Sequence, residues 1–242
     1  MSMPAQDNSQ CVVLVPVGGH IDPACEDGLR QLETQGYTVR RVRGFPQVDV
    51  ARCQIATDAL ADGFDELLWI DSDVAFDPAA VARLRSHRLP IVCGIYAKKS
   101  RREFACSFLP GTERITFGPE GRLVEILYAG FGFVLTHRSV YEKIERQLQL
   151  PRCNQNFAQL LVPYFMPMII PQAAGNWYLG EDYAFCERAR QCGYQVMVDT
   201  SIRLWHMGSY QFSWEDAGSD KQRFATYTFH TGLKPANPPE SH

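Results

Sequence analysis

Two carboxylates, Asp71 and Asp73, stand one residue apart at the end of a short apolar run, Leu67-Leu68-Trp69-Ile70. The run reads as a buried strand of a parallel sheet. Open α/β sheets bind ligands beyond the carboxyl ends of their strands, where these acids fall. Two acidic oxygen ligands there suit a hard divalent cation, which could hold a diphosphate and take up charge on a departing phosphate. An acidic turn that merely caps the next segment is the plainer alternative. The buried strand in front favours the metal reading.

A second acidic group, Gly180-Glu181-Asp182-Tyr183, falls at a loop-to-helix junction. Capping and the helix dipole explain one acid there but do not require two. A carboxylate so placed could take a proton from an acceptor hydroxyl. Burial would raise its pKa and the helix N-terminus would lower it, and the sequence leaves that balance open. Trp205-His206-Met207-Gly208 offers an imidazole as third ligand to a manganese-like ion otherwise held by oxygens, although a lone histidine is more often structural. Arg52 reads equally as a surface arginine or as a group that touches a phosphate or supports the metal loop. Lys98, Lys99, Arg101 and Arg102 form a small basic run, by default a solvated loop and otherwise a contact for a phosphate or an anionic acceptor.

These residues need a frame, and the hydrophobic pattern supplies one. Strands are expected over 11–17, 37–42, 67–70 and 91–96, with helices after Asp22-Pro23, over 50–61 and after Asp77-Pro78. Such alternation implies right-handed crossovers and a mostly parallel sheet with helices on both faces. Shorter strands over 103–108, 114–117 and 123–128 read as an antiparallel extension. A strand over 130–135 carries two glycines, which suggests close approach by another backbone or a ligand. A helix over 139–150, a proline-bearing loop or lid over 152–176, a helix over 182–192 and short strands over 196–198 and 202–205 follow. The expected organisation is a flexible lead-in over 1–10, a single domain over 11–217, and a tail over 218–242 that wraps the surface.

The bulk properties set bounds. With 242 residues, 45% of them apolar and 21% charged, the chain has the make-up of one soluble α/β domain. A net charge of −3 with no block of like charges argues against broad nucleic-acid binding. No apolar run reaches the ~18 residues of a membrane span, and the first ten residues lack a signal-peptide apolar region. The eight cysteines include no CxxC pair and no zinc pattern, so free buried thiols in a reducing cytoplasm are expected.

In order along 11–210, Val13-Leu14-Val15-Pro16, Arg52, Asp71-Ser72-Asp73, Gly130-Phe131-Gly132, Gly180-Glu181-Asp182 and Trp205-His206 resemble nucleotide-sugar glycosyltransferases of the GT-A fold. The Glu-Asp helix start looks like family 2-type enzymes. The Gly-Phe-Gly segment and the Trp-His pair look like fungal mannan polymerase subunits. The resemblance implies that Asp73, His206 and Asp71, the last directly or through water, hold Mn²⁺ or Mg²⁺ on the donor diphosphate. Val15 and Pro16 would line the nucleotide pocket, Ser72 would share the donor loop, and Arg52 would lie near the diphosphate or base. Gly130, Phe131, Gly132 and Phe133 would border the donor sugar and acceptor. Asp182, with Glu181 as second choice, would be the base of an inverting displacement; the mannan-type likeness would imply retention. The implied donor is a UDP-sugar first and GDP-mannose second, with a glycan, lipid-linked or protein acceptor. Rival readings are a non-catalytic sugar-nucleotide-binding module, a haloacid-dehalogenase-like phosphatase with Asp71 as nucleophile, and a sugar-1-phosphate nucleotidyltransferase.

Overall fold

The first strand carries apolar side chains on both faces, so it must be covered on both sides. In the computed structural model, which describes residues 7–218 and 226–231, helices do this. The first half of the chain runs β1 (Cys11–Pro16), α1 (Pro23–Thr34), β2 (Thr38–Val42), α2 (Val48–Ala61), β3 (Glu66–Ile70), β4 (Val74–Phe76), α3 (Ala79–Ser86) and β5 (Ile91–Cys93). It continues with β6 (Cys106–Phe108), β7 (Arg114–Phe117), β8 (Leu123–Ala129), β9 (Phe133–His137) and α4 (Arg138–Gln147). The last elements are β10 (Met168–Gln172), β11 (Gly175–Leu179), α5 (Glu181–Gln191), β12 (Val196–Asp199), β13 (Leu204–Met207), β14 (Gln211–Phe212) and β15 (Tyr227–His230).

Alternate residues of β1 and β3 enter two cores. Val13, Val15, Leu68 and Ile70 pack with Cys25, Leu29 and Leu32 of α1 and with Val81 and Leu84 of α3. Val12, Leu14, Leu67 and Trp69 face α2, α4 and α5 through Ile55, Tyr141 and Phe185, among others. Helix α1 starts as its sequence dictates: the Asp22 side chain accepts from the Ala24 N–H, and Pro23 opens the first turn.

The central sheet has the strand order β2-β1-β3-β9-β5-β12-β8-β6. β2, β1 and β3 run parallel, as do β5 and β12, while β9 and β8 are each antiparallel to both neighbours. The fold is thus α/β and GT-A-like, with helices on both faces and a sheet that is mixed rather than uniformly parallel.

Several expected elements change shape. The strand expected over 91–96 stops at Cys93, and the two glycines lie in a loop before β9. Of the three strands of the antiparallel extension, β8 and β6 join the central sheet, whereas β7 pairs with β15 from the tail. Half of the expected lid is a hairpin, β10-β11, which tolerates Pro171 because a two-stranded ribbon has free edges. Ahead of it the chain is exposed around Phe157 but is anchored over 160–165: the Gln54 side chain donates to the Leu160 carbonyl, Val162 N–H to the Thr57 hydroxyl, and Phe165 N–H to the Cys53 sulfur. The short β4, absent from the sequence reading, pairs antiparallel with β13.

A buried hydrogen-bond chain fixes β3. Trp69 Nε1 donates to the Tyr141 hydroxyl at 2.9 Å, which lies 2.9 Å from the Thr136 hydroxyl, and that hydroxyl donates to the Leu67 carbonyl at 3.0 Å. Tyr141→Phe strands the indole N–H in the core, which costs about 1–3 kcal/mol. The urea midpoint is expected to fall accordingly, and an unchanged midpoint would contradict the network.

Candidate active site

β3 ends in a turn closed by Val74 N–H donating to the Asp71 carbonyl at 3.0 Å. Three distant segments pin this acidic loop by its backbone. Asp71 N–H donates to the Gly132 carbonyl, Asp22 N–H to the Ser72 carbonyl, and Met207 N–H to the Asp73 carbonyl, at 3.1, 2.8 and 2.7 Å. The β4–β13 pairing sets His206 opposite Val74 and so beside Asp73. His206 Nε2 lies 3.6 Å from Asp73 Oδ2. Its Nδ1 sits 3.0 Å from the Ala97 carbonyl, which can only accept, so that nitrogen carries the proton. In the neutral ring the Nε2 lone pair then faces Asp73, the arrangement of a metal-ligating histidine fixed from behind.

Arg52 lies behind the acids rather than at the surface. It is 2% exposed. Its Nη2 donates to Asp71 Oδ1 at 2.7 Å, and its Nε stands 3.6 Å from Glu181 Oε1. The guanidinium sits 5.5 Å over the Trp69 ring and 5.7 Å over Phe131. Burial works against its charge, but Asp71, Glu181 and Asp182 outweigh that and raise its pKa. Asp73 follows the same rule with the sign reversed: burial pushes its carboxyl up, but His206, in its protonated form, and the Lys99 ammonium hold it down to about 2.

Asp182 opens α5 beside Glu181. Burial first, and then the Glu181 charge, push its carboxyl up to about 7, against the pull of the Tyr183 N–H and Arg52. Two clefts meet at these acids. One, of about 370 Å³, is walled by Pro16, Val17, Gly18, Val42, Phe45 and Pro46. The other, of about 410 Å³, is walled by Tyr96, Gly130, Trp177, Tyr178, Asp182 and His206. Asp71 and Asp73 line both; Ser72, Arg52 and Glu181 line the first.

The structure therefore brings Asp71, Ser72, Asp73, Arg52, Glu181, Asp182, Gly130, Pro16 and His206 to one place. Three expected contacts are redirected. Val15 is fully buried in the α1-side core, because odd-numbered residues of β1 point there, and Val17 takes its place at the cleft. Phe131 is 1% exposed and turns into an aromatic cluster with Trp69, Phe165 and Phe185, so it supports Arg52 from below and does not border a sugar. Phe133 is also fully buried, against Phe76. Gly132 accepts a close approach: a Cβ there would stand 2.2 Å from the Tyr96 hydroxyl, which itself accepts from the Gly132 N–H.

Sequence reasoning missed Tyr96, which lies edge-on to His206 at 4.9 Å, as well as Trp177 and Tyr178. The one available signal was aromatic residues next to a strand end. It also left open that Lys99 reaches Asp73, with Nζ 2.5 Å from Oδ2.

The donor set fits a divalent cation in part. Among the described residues no three His, Cys, Asp or Glu side chains converge as a closed metal cage. Asp73 Oδ2 and His206 Nε2, 3.6 Å apart, can be bridged by one ion at ordinary bonds of about 2.1 Å. Asp71 is turned toward Arg52. An open site of one or two carboxylates that is completed by substrate phosphates and water is the usual Mg²⁺ arrangement.

No protein-family model matches this chain, and no curated protein matches it in sequence. Among solved structures, A197 from STIV is 18% identical over 96% of this chain and 99% of its own, with a TM-score of 0.56, and shares the fold. Looser likenesses include a glycosyltransferase involved in the glycosylation of the major capsid of PBCV-1, 18% identical over 57% of this chain and 64% of that one, TM-score 0.31. GalNAc-T7, solved with UDP, GalNAc and Mn²⁺, is 10% identical over 87% of this chain and 45% of its own, TM-score 0.46.

Gly132→Ala forces the Tyr96 hydroxyl away from the glycine loop that holds Asp71. Overpacking of this kind costs about 1–3 kcal/mol. A fall in thermal midpoint is expected, because ring carbons of Tyr96 as well as its hydroxyl lie under 3.0 Å from the added Cβ; an unchanged midpoint would mean that the loop does not depend on this close approach.

Proposed function

We propose that this protein is a metal-dependent glycosyltransferase that moves a sugar from a nucleoside-diphosphate donor to an acceptor hydroxyl with inversion. The observation that carries the reading is the pair of clefts that meet at Asp71 and Asp73, with a carboxylate of raised pKa, Asp182, on the far side only. The first cleft suits a nucleotide: Pro16, Val42 and Phe45 offer apolar wall to a base. Its charged lining is Asp71, Asp73 and Glu181 against Arg52, so a diphosphate needs a cation with it. Asp73 and His206 would hold Mn²⁺ or Mg²⁺, and that ion supplies charge stabilisation to the leaving diphosphate.

The chain's own residues do the rest. Arg52 orients Asp71 and keeps Glu181 paired, which leaves Asp182, bonded only to the Tyr183 N–H, as the one of the three acids without an ion pair. Trp177 and Tyr178 give a saccharide acceptor a flat surface beside Asp182, and Tyr178 is 65% exposed. Asp182 takes the acceptor proton as that oxygen bonds to the anomeric carbon. The bond from that carbon to the diphosphate oxygen breaks, and its electron pair leaves with the nucleoside diphosphate. The catalytic unit is 11–217, with β15 of the tail added at its edge through β7. UDP-sugar is the first donor and GDP-mannose the second. No helix among the described residues is long and apolar enough to cross a membrane. The eight free thiols suit action in the cytoplasm.

Calorimetric titration with UDP, GDP and CMP, with and without Mn²⁺, tests the donor site. Metal-dependent binding of one nucleotide that is lost in Asp73→Ala is expected. Binding indifferent to metal and to Asp73 would sink the reading.

The base must be ionised to act, so kcat/KM is expected to rise with pH and level off above about 7. Arg52→Met removes a charge that lowers the Asp182 pKa and should move that profile to higher pH. A profile that stays in place would dissociate Asp182 from the reaction.

Asp182 also links function to stability. Its carboxyl stays protonated to about 7 when folded but has an ordinary value of 3.8. The stabilising preference for the protonated form is fully present below the ordinary value and is lost as pH rises toward the folded one. Asp182→Asn is therefore expected to lower turnover about 10²–10⁴-fold while raising the thermal midpoint at pH 8. A lower midpoint at pH 8 would contradict the buried-charge account.

A further inference from the structure

The ammonium of Lys99 stands where a cation would be needed. Its Nζ is 2.5 Å from Asp73 Oδ2, the same oxygen that lies 3.6 Å from His206 Nε2. A divalent ion bonded to that oxygen and to His206 would crowd a positive charge against Nζ, and like charges at such range repel strongly in a partly buried setting. One oxygen therefore serves either the ammonium or the ion. The side chain is laid on this path by packing: a Cβ at Gly208 would meet Lys99 Cδ at 3.4 Å and Cε at 3.8 Å. It also has somewhere to go. Lys99 lines a further cleft of about 450 Å³ with Ser100, Arg101, Tyr210 and Phe212, and its side chain is one-third exposed.

We propose that Lys99 is an internal counter-ion that closes the Asp73–His206 site to free divalent cations and yields it when a nucleoside diphosphate arrives. The inference rests on the donor-site reading above. Without nucleotide, a metal ion must displace the ammonium with only two protein ligands to offer in return. With nucleotide, the phosphate oxygens complete the ion's coordination and give the released ammonium an anionic partner. Lys99 thereby makes metal and donor binding interdependent, a coupling that works equally in both directions. It is a positioning residue for Asp73 and need not touch the reacting atoms.

The test is direct Mn²⁺ binding, read as the loss of the free-ion electron paramagnetic resonance signal, for the full chain and for Lys99→Met. Each is measured alone and with UDP or GDP. Lys99→Met is expected to bind Mn²⁺ without nucleotide about tenfold tighter than the parent, and the enhancement by nucleotide should shrink to match. Lys143→Met, on α4 against Tyr194 and outside both clefts, should behave as the parent, and Lys99→Arg should keep the gate closed. Circular dichroism and a second variant, Lys99→Gln, separate an altered site from a misfolded chain. Equal Mn²⁺ affinity of the parent and both neutral variants without nucleotide would overturn the gate alone. Absence of Mn²⁺ binding in every protein, even with each nucleotide, would overturn the donor site and the gate together.

Discussion

The buried guanidinium of Arg52 joins the two acidic centres of this molecule. It pairs with Asp71 from the end of β3 and lies within 3.6 Å of Glu181 from the start of α5. Two negative helix-end and strand-end groups would otherwise repel each other across a narrow gap. Its Nε and Nη1 make no hydrogen bond in the buried setting, so ion pairing and the flat faces of Trp69 and Phe131 must offset its desolvation. That is a costly way to place a charge, and it explains why so much aromatic side chain gathers beneath it: Phe131, Phe165 and Phe185 pack with centroids 4.6–5.0 Å apart. The aromatic core is the floor of the site.

The backbone around the acids is organised with the same economy. The acidic loop is held by carbonyl and amide groups from the start of α1, the glycine loop and β13, which are far apart in the chain. Hydrogen bonds from three directions leave Asp71, Ser72 and Asp73 little freedom to relax, so their side chains are presented before any ligand binds. The glycines serve this purpose. Gly130 donates to the Ala105 carbonyl at 2.7 Å and Gly132 accommodates the Tyr96 hydroxyl, two contacts that a side chain would exclude.

Charge divides the site into two regions. Asp73 is held ionised, against burial, by the Lys99 ammonium and by His206 in its protonated form, whereas Asp182 is pushed the other way by burial and by Glu181. Two aspartates on one cleft therefore have opposite protonation behaviour near neutrality, the separation that acid–base chemistry at one site requires. The first stays an anion available to a cation; the second can gain and lose a proton at ordinary pH.

What the sequence determined by itself is local in physical origin. The buried run that ends at Asp71 and Asp73, the Asp22-Pro23 helix start and the Glu181-Asp182 helix start are legible because apolar runs, caps and helix dipoles act over a few residues. The α/β class follows from their alternation. Tertiary structure decided what depends on pairing between distant segments. The three residues of β4 are too few to show a period, yet their pairing with β13 is what delivers His206 to Asp73. Arg52 reads as exposed or buried with equal ease until α5 and Phe131 close over it. The side chains of Val15 and Phe131 turn into the core because strand alternation and aromatic packing, not proximity in sequence to the site, set their direction. Lys99 meets Asp73 across 26 residues of chain, with its stem running beside Gly208. Hydrophobic patterning is written along the chain one element at a time, whereas the meeting of charged groups across a cleft is fixed by which elements the core brings together.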